Sequence, residues 1–289
     1  MARHPRNKTI QFHACEALGG LAADKTSREA ILRSEGIERL LKVLTEHKRD
    51  VSIQVAGYQA LNVLTEDPSI LSKFEILQIA ETVLYALKMH PRGAGVQEHG
   101  FSVLINLADF PDVKTMIVRD GGIERIIATM KLHPTSCQIQ CHGCTVLKNV
   151  AISINKKRTI IHSGGVAVVV AALTNFPADV DIQIACYDLF RTVLDQQDSH
   201  ELSEEIVKVF TMTMKNHQQD AEVLRQAFEA MVHLPQTMEN RQLLGQAGVA
   251  TTVATAVTAH PSHRTLRWFG ERLVNQICSY HEVQSVSTV

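Results

Sequence analysis

Three cysteines stand close enough together to suggest metal chemistry: Cys137, Cys141 and Cys144 form C-x3-C-x2-C, with His133 and His142 beside them. On a helix these three positions share a face, so their thiolates could hold a zinc ion or an iron–sulfur cluster. Fourteen histidines add further candidate ligands and general bases. Whether this is chemistry or packing depends on the elements that carry these residues, and those elements repeat.

The apolar residues Ile10, Ile53, Val96, Ile139, Ile182, Val223 and Leu266 anchor seven copies of one pattern, with successive spacings of 43, 43, 43, 43, 41 and 43 residues. Four positions after each anchor lies a small residue: Ala14, Gly57, Gly100, Gly143, Cys186, Ala227 and Gly270. Apolar residues follow at positions eight and eleven, as in Leu61 and Leu64 or Leu104 and Leu107. The spacing i, i+4, i+8, i+11 is one stripe of an α-helix, so each copy carries a long amphipathic helix whose small residue admits a close neighbour.

Two more marks share the period. His4, His47, His90, His133, Phe176, His217 and His260 precede the long helices, five of them followed by proline, which predicts the stop of a preceding helix. Upstream of that, Gly36, Gly121-Gly122, Gly164-Gly165 and Gly248 predict a sharp turn between a short first helix and a second one. The corresponding positions near Ala80 and Ile206 lack glycine, so there the bend is made differently or the two helices merge. Each unit thus reads as three helices that bury their apolar faces only against neighbours, an all-α solenoid of about six and a half copies. The repeat domain spans 1–280, and 281–289 reads as a polar tail.

The period decides the chemical question. Cys144 falls in the register of Cys15, Tyr58, Phe101 and Tyr187, a packing position, and Cys137 replaces loop residues, so no metal and no cofactor is expected. Six of the histidines are helix stops. The double glycines follow no strand and lack the phosphate-loop lysine, and neither G-x-S-x-G nor H-E-x-x-H occurs, so the chain is not expected to be an enzyme. A formal charge of −1, from 29 basic and 30 acidic residues, gives no field for nucleic acid. No stretch reads as a membrane span or a signal peptide, and six cysteines without a secreted framework point to the cytoplasm, with the nucleus as the alternative.

The segments VQEHGFSVLINLA (Val96 to Ala108) with MIVRDGGI (Met116 to Ile123), and IQCHGCTVLKNVA (Ile139 to Ala151) with IIHSGGV (Ile160 to Val166), resemble the armadillo repeat superfamily. That resemblance implies a right-handed superhelical solenoid of six to seven three-helix repeats, the first incomplete. It also implies a non-catalytic scaffold for protein–protein interaction, with the long helices lining a concave groove for an extended peptide. Positions three, six and ten after the anchor lie on the polar side of each long helix. They nominate His99, Ser102, Asn106, His142, Thr145 and Asn149 as the centre of a partner-binding groove, and Asp188 and Glu229 as an acidic end that could receive a basic segment. Asn106 and Asn149 match the family's peptide-binding asparagine, whereas its tryptophan one turn earlier is missing from every repeat, which counts against a nuclear import receptor. The alternative is an accessory array of a larger protein such as a kinase or ubiquitin ligase component. Met1 falls in the register of Leu44, Leu87 and Met130, so the chain reads as beginning inside a repeat, either as part of a longer array or as a natural cap. The last residues, Ser287 to Val289, fit the carboxylate-terminated form taken by ligands of PDZ domains.

Overall fold

The computed structural model describes residues 1, 3–119, 121–194, 203–234 and 237–286, with the backbone alone over 279–286. Among these residues there are seventeen α-helices, one 3-10 turn and no strand. By packing the chain forms two compact units, Met1–Val150 and Ala151–Val289, where the sequence reads one continuous array.

The first unit contains α1 (Lys8–Ala22), α2 (Lys25–Arg33), α3 (Gly36–Glu46), α4 (Val51–Leu64), the 3-10 turn Pro68–Ile70, α5 (Lys73–Met89), α6 (Ala94–Asn106), α7 (Pro111–Val118), α8 (Gly122–Leu132) and α9 (Cys137–Val150). Its long helices stack in order, α1 on α4, α4 on α6 and α6 on α9. The second contains α10 (Ile154–His162), α11 (Gly165–Asn175), α12 (Val180–Val193), α13 (Glu204–Asn216), α14 (Ala221–Val232), α15 (Met238–Gln246), α16 (Val249–Ala259) and α17 (Arg264–Val286), with α12 on α14 and α14 on α17. The helix α17 continues through 281–286, into the segment that the sequence reads as a tail.

The predicted stripe is the core. Ile53, Leu61 and Leu64 are at most 1% exposed, as are Val96, Leu104 and Leu107, and each such side chain contributes about 1.5–3 kcal/mol of burial. The small residue inside the stripe seats a side chain from the second helix of the same repeat: a Cβ on Gly100 would lie 2.6 Å from Leu87 Cδ2, and one on Gly143 would lie 2.7 Å from Met130 Sδ. The first long helix departs from this, since Ile10 and Leu21 are exposed.

Gly121, Gly164 and Gly248 adopt positive φ at the head of the second helix, as the glycine marks predict. In the copy before them the left-handed position falls on Glu35 (φ 60°), one residue ahead of the expected Gly36. Gly36 is needed for a different reason, because a Cβ there would lie 2.6 Å from the Ile31 carbonyl oxygen. At Ala80 the two helices do merge. α5 runs straight through that buried residue, and the first helix shrinks to the 3-10 turn. Ile206 lies in the first turn of α13, capped by Ser203.

The helix stops are C-caps at His47, His90, His133, Phe176, His217 and His260. Their rings do more than end helices. His47 Nε2 donates to Pro5 O (2.7 Å), His90 to Lys48 O (2.7 Å), His133 to Pro91 O (3.2 Å), His217 to Pro177 O (2.8 Å) and His260 to Gln218 O (2.7 Å). Each acceptor is the residue just after the stop in the preceding repeat.

A periodic residue that sequence reading passed over completes the unit. One position after the anchor lie Gln11, Gln54, Gln97, Gln140 and Gln183, all at most 2% exposed. Gln97 Nε2 donates to the carbonyls of Leu87 and His90 (2.9 Å each), and Gln140 Nε2 to those of Met130 (2.8 Å) and His133 (2.9 Å). Gln54 and Gln183 repeat the arrangement on Leu44 and His47 and on Leu173 and Phe176. These are carbonyls that the end of a helix leaves without intrahelical donors. Three positions before the anchor a second cap recurs, with Asn7, Asp50, Ser136, Asp179 and Asp220 accepting from the anchor's own N–H.

Replacing Gln140 by alanine takes the side-chain donor from the Met130 carbonyl, while the His133 carbonyl keeps the Ser136 N–H, and is expected to cost about 1–2 kcal/mol, read as a lowered midpoint in thermal and urea unfolding. Glu35→Gly relieves a left-handed side chain and is expected to raise the midpoint, by about 0.5 kcal/mol after glycine's own entropy cost.

Candidate partner-binding groove

In the first unit the nominated side chains project from α6 and α9, and all six are half-buried. The amphipathic stripe fixes the rotation of each helix, so the polar positions fall on one ridge whose spacing is set by the stacking of α4, α6 and α9.

The ridge is partly spent on itself. Ser102 Oγ donates to Asn62 Oδ1 (2.7 Å), and Asn106 Nδ2 lies within hydrogen-bond distance of Asn62 O (3.0 Å), Asn62 Oδ1 (3.1 Å) and Thr65 Oγ1 (3.1 Å). Ser102 and Asn106 are thus brought together on Asn62, a residue sequence reading missed because α4 carries Val63 at position ten and Asn62 one place earlier. Asn106 keeps its Oδ1 without a protein partner among the described residues. His142 Nδ1 donates to Glu98 O (3.3 Å), back onto α6. Thr145 Oγ1 donates to Cys141 O in its own helix (3.0 Å). Asn149 makes no side-chain hydrogen bond among the described residues.

His99 differs from the helix-stop histidines. Its Nε2 accepts from Gln59 Nε2 (3.0 Å), and partial burial, with His142 adding to it against the opposing pull of Glu98, holds its pKa below the ordinary imidazole value. The ring is therefore favoured in the neutral form that this bond requires.

In the second unit Asp188 and Glu229 sit in a chain of ion pairs. Arg191 bonds Asp188 (3.0 Å) and approaches Glu229 (3.7 Å), while Arg225 bonds Glu229 (2.7 Å) and grips Glu222 with two nitrogens. Hydrogen bonding to Arg225 is the main reason that the Glu222 carboxyl titrates below its usual range. The acidic end read from sequence therefore carries three carboxylates against two guanidiniums.

The candidate metal triplet resolves into different environments. Cys144 is fully buried in the register shared with Cys15, Tyr58, Phe101 and Tyr187, whereas Cys137 and Cys141 are half-exposed. Burial pushes the Cys15 thiol up to about 11. Among the described residues no group of three or more His, Cys, Asp or Glu side chains is placed to hold a metal ion. No helix there is long and apolar enough to cross a membrane. The carboxy-terminal Ser287 and Val289 lie outside the described residues.

Residues 74–187 match the family model of the LRRK2 ARM repeat. Over that stretch the chain is similar to armadillo-type repeats. The matched stretch takes in both segments whose residues resemble that family. No curated protein matches the chain. Two engineered proteins, crystal structures from the Northeast Structural Genomics Consortium, share the architecture at 19% identity. One has a TM-score of 0.60 over 94% of this chain and 75% of that one, the other a TM-score of 0.55 over 95% and 93%. At that identity the likeness speaks of the fold alone.

The direction of the His99 shift gives a pH test. A depressed folded pKa means that its contribution to stability is complete above the unfolded value of about 6.5. It is lost as pH falls through that value towards the depressed one. The thermal midpoint of the wild-type chain should therefore fall more steeply than that of His99→Gln between about pH 7.5 and 5.5, with circular dichroism as the readout.

Proposed function

We propose that this chain is a non-catalytic protein-interaction scaffold that receives a partner segment along the polar ridge of its long helices. The observation that carries the reading is the ridge of α6 and α9: half-buried polar groups on packed helices, with His99, Ser102, His142 and Thr145 beside two asparagines that still have hydrogen-bonding capacity. Asn106 offers Oδ1 while its amide nitrogen is held by Asn62 and Thr65. Asn149 offers both ends of its amide. A side-chain amide of this kind can pair with both the N–H and the C=O of an extended backbone, so it favours a peptide over a small apolar ligand. Asp188 and Glu229, held upright by arginines, would serve a polar or basic portion of the same class of partner in the second unit.

The two asparagines separate binding from folding. Asn149→Ala removes no internal bond and is expected to leave the unfolding midpoint unchanged while weakening capture of the partner by about tenfold, the worth of one or two hydrogen bonds. Asn106→Ala is expected to lower both. If the Asn106→Ala/Asn149→Ala protein, folded by circular dichroism, recovers the same partners in the same amounts as wild type by quantitative affinity capture, the groove reading fails.

A further inference from the structure

The exposed face of α17 carries a chemistry found on no other long helix. Arg264, Trp268 and Arg272 follow one another at i, i+4 and i+8, and all three are exposed. Trp268, the single tryptophan of the chain, is 53% exposed. Its indole is held in place: the Arg272 guanidinium lies over the ring, 5.3 Å from its centroid, and Phe269 meets it edge-on at 4.8 Å. The one acid on this part of the helix, Glu271, pairs with Arg267 (3.5 Å). Arg264 and Arg272 face no carboxylate among the described residues. The result is an apolar platform flanked by two uncompensated cations, spaced about 12 Å apart along the helix at 1.5 Å per residue.

We infer that the Arg264–Trp268–Arg272 face of α17 is a docking site for an acidic peptide segment in which two carboxylates flank an apolar side chain. The site stands on its own and does not depend on the asparagine groove. The charges select the class of partner: the two guanidiniums, neither of which faces a carboxylate among the described residues, pair with carboxylates, and the indole surface that Arg272 leaves exposed accepts the apolar residue between them. The span selects the spacing. In an extended chain, carboxylates four residues apart lie about 13 Å from each other at ~3.3 Å per residue, which matches the two arginines. A nucleic acid is the weaker candidate, since two cations on a chain of net charge −1 form no basic stripe.

Because the chain has one tryptophan, its fluorescence reports this site alone. The full chain would be titrated with the acetylated, amidated heptapeptide Gly-Glu-Ala-Phe-Ala-Glu-Gly, with its Lys-for-Glu counterpart, with an isomer whose two glutamates are adjacent, and with a hexathymidine oligonucleotide. The acidic peptide is expected to give a saturable, salt-sensitive change in Trp268 emission, with the adjacent-Glu isomer weaker and the lysine peptide silent. Arg264→Gln and Arg272→Gln should each weaken it by about two- to fivefold. Trp268→Ala, followed by anisotropy of a fluorescein-labelled peptide, should weaken it by about tenfold or more. No saturable change with the acidic peptide, an equal response to the lysine peptide, or a stronger one to the oligonucleotide would each overturn the assignment. Since the groove asparagines lie elsewhere, Asn106→Ala/Asn149→Ala should leave this titration unchanged. Loss of peptide binding in that variant would likewise overturn the site.

Discussion

A helix that ends inside a stack leaves its last carbonyls without donors and out of reach of water, and each such group costs about 1–3 kcal/mol if nothing answers it. In the first five copies the glutamine one residue after the anchor meets this constraint by sending a single amide nitrogen to the carbonyls seven and ten residues back, the nearer of which also accepts a backbone N–H from the connecting turn. That reach fixes the connection between the second and third helices. From each helix stop to the next anchor the separation is six residues in all seven copies, His4 to Ile10 through His260 to Leu266. The one irregular spacing, Ile182 to Val223, therefore arises upstream of His217, outside that fixed connection. The last two copies carry Leu224 and Arg267 in place of the glutamine and keep the same separation. There Asp220 and His263 still cap the anchor's N–H, and the rings of His217 and His260 still donate.

The histidine rings act in a second direction. Whereas the glutamine closes a repeat on itself, the stop histidine ties it to the repeat before, through Nε2–H and a carbonyl. There the ring donates, and the acceptor is in every case a backbone carbonyl oxygen. His99 is the opposite case. Its Nε2 accepts, the bond exists only in the neutral form, and burial favours that form. Residues of one type thus split by the direction of a single hydrogen bond, five rings donating to a carbonyl and His99 accepting from an amide.

This contrast explains what could be read before the structure. The period, the buried stripe, the helix stops and the glycine turns were legible because each is a property of one residue type at one spacing, and the missing glycine at Ala80 correctly left merged helices as an option. The glutamines share the same period and were overlooked, since a polar residue beside an apolar stripe reads as the edge of the solvated face unless the helix-end carbonyls are counted. The site was less legible. Asn62 lies one place off the ridge register, and the arginines that answer Asp188 and Glu229 come from i+3 and i−4 on the same helices and from the neighbouring one. Pairing of that kind depends on rotamers and on inter-helix distance, neither of which a spacing rule contains. The position of left-handed backbone at Glu35 was hidden for a similar reason, since Gly36 looked like the turn residue and is instead the point of closest approach to the Ile31 carbonyl.

The division of labour among positions also bears on function. Within a repeat, the anchor stripe, the glutamine, the stop histidine and the cap are held by geometry, so diversity is confined to the polar side of the long helix and to its exposed flank. There the copies differ most: His, Ser or Thr, and Asn on α6 and α9; carboxylates answered by guanidiniums on α12 and α14; an indole between two arginines on α17. A chain close to electroneutral as a whole treats charge differently along its long helices: the ridge positions of α6 and α9 carry none, Asp188 and Glu229 are answered by guanidiniums, and Arg264 and Arg272 face no carboxylate among the described residues. Selection for stability alone would favour one repeated solution at these positions, as it has at the glutamines. Three different solutions on one scaffold are what distinct contacts along a partner, or with several partners, would require.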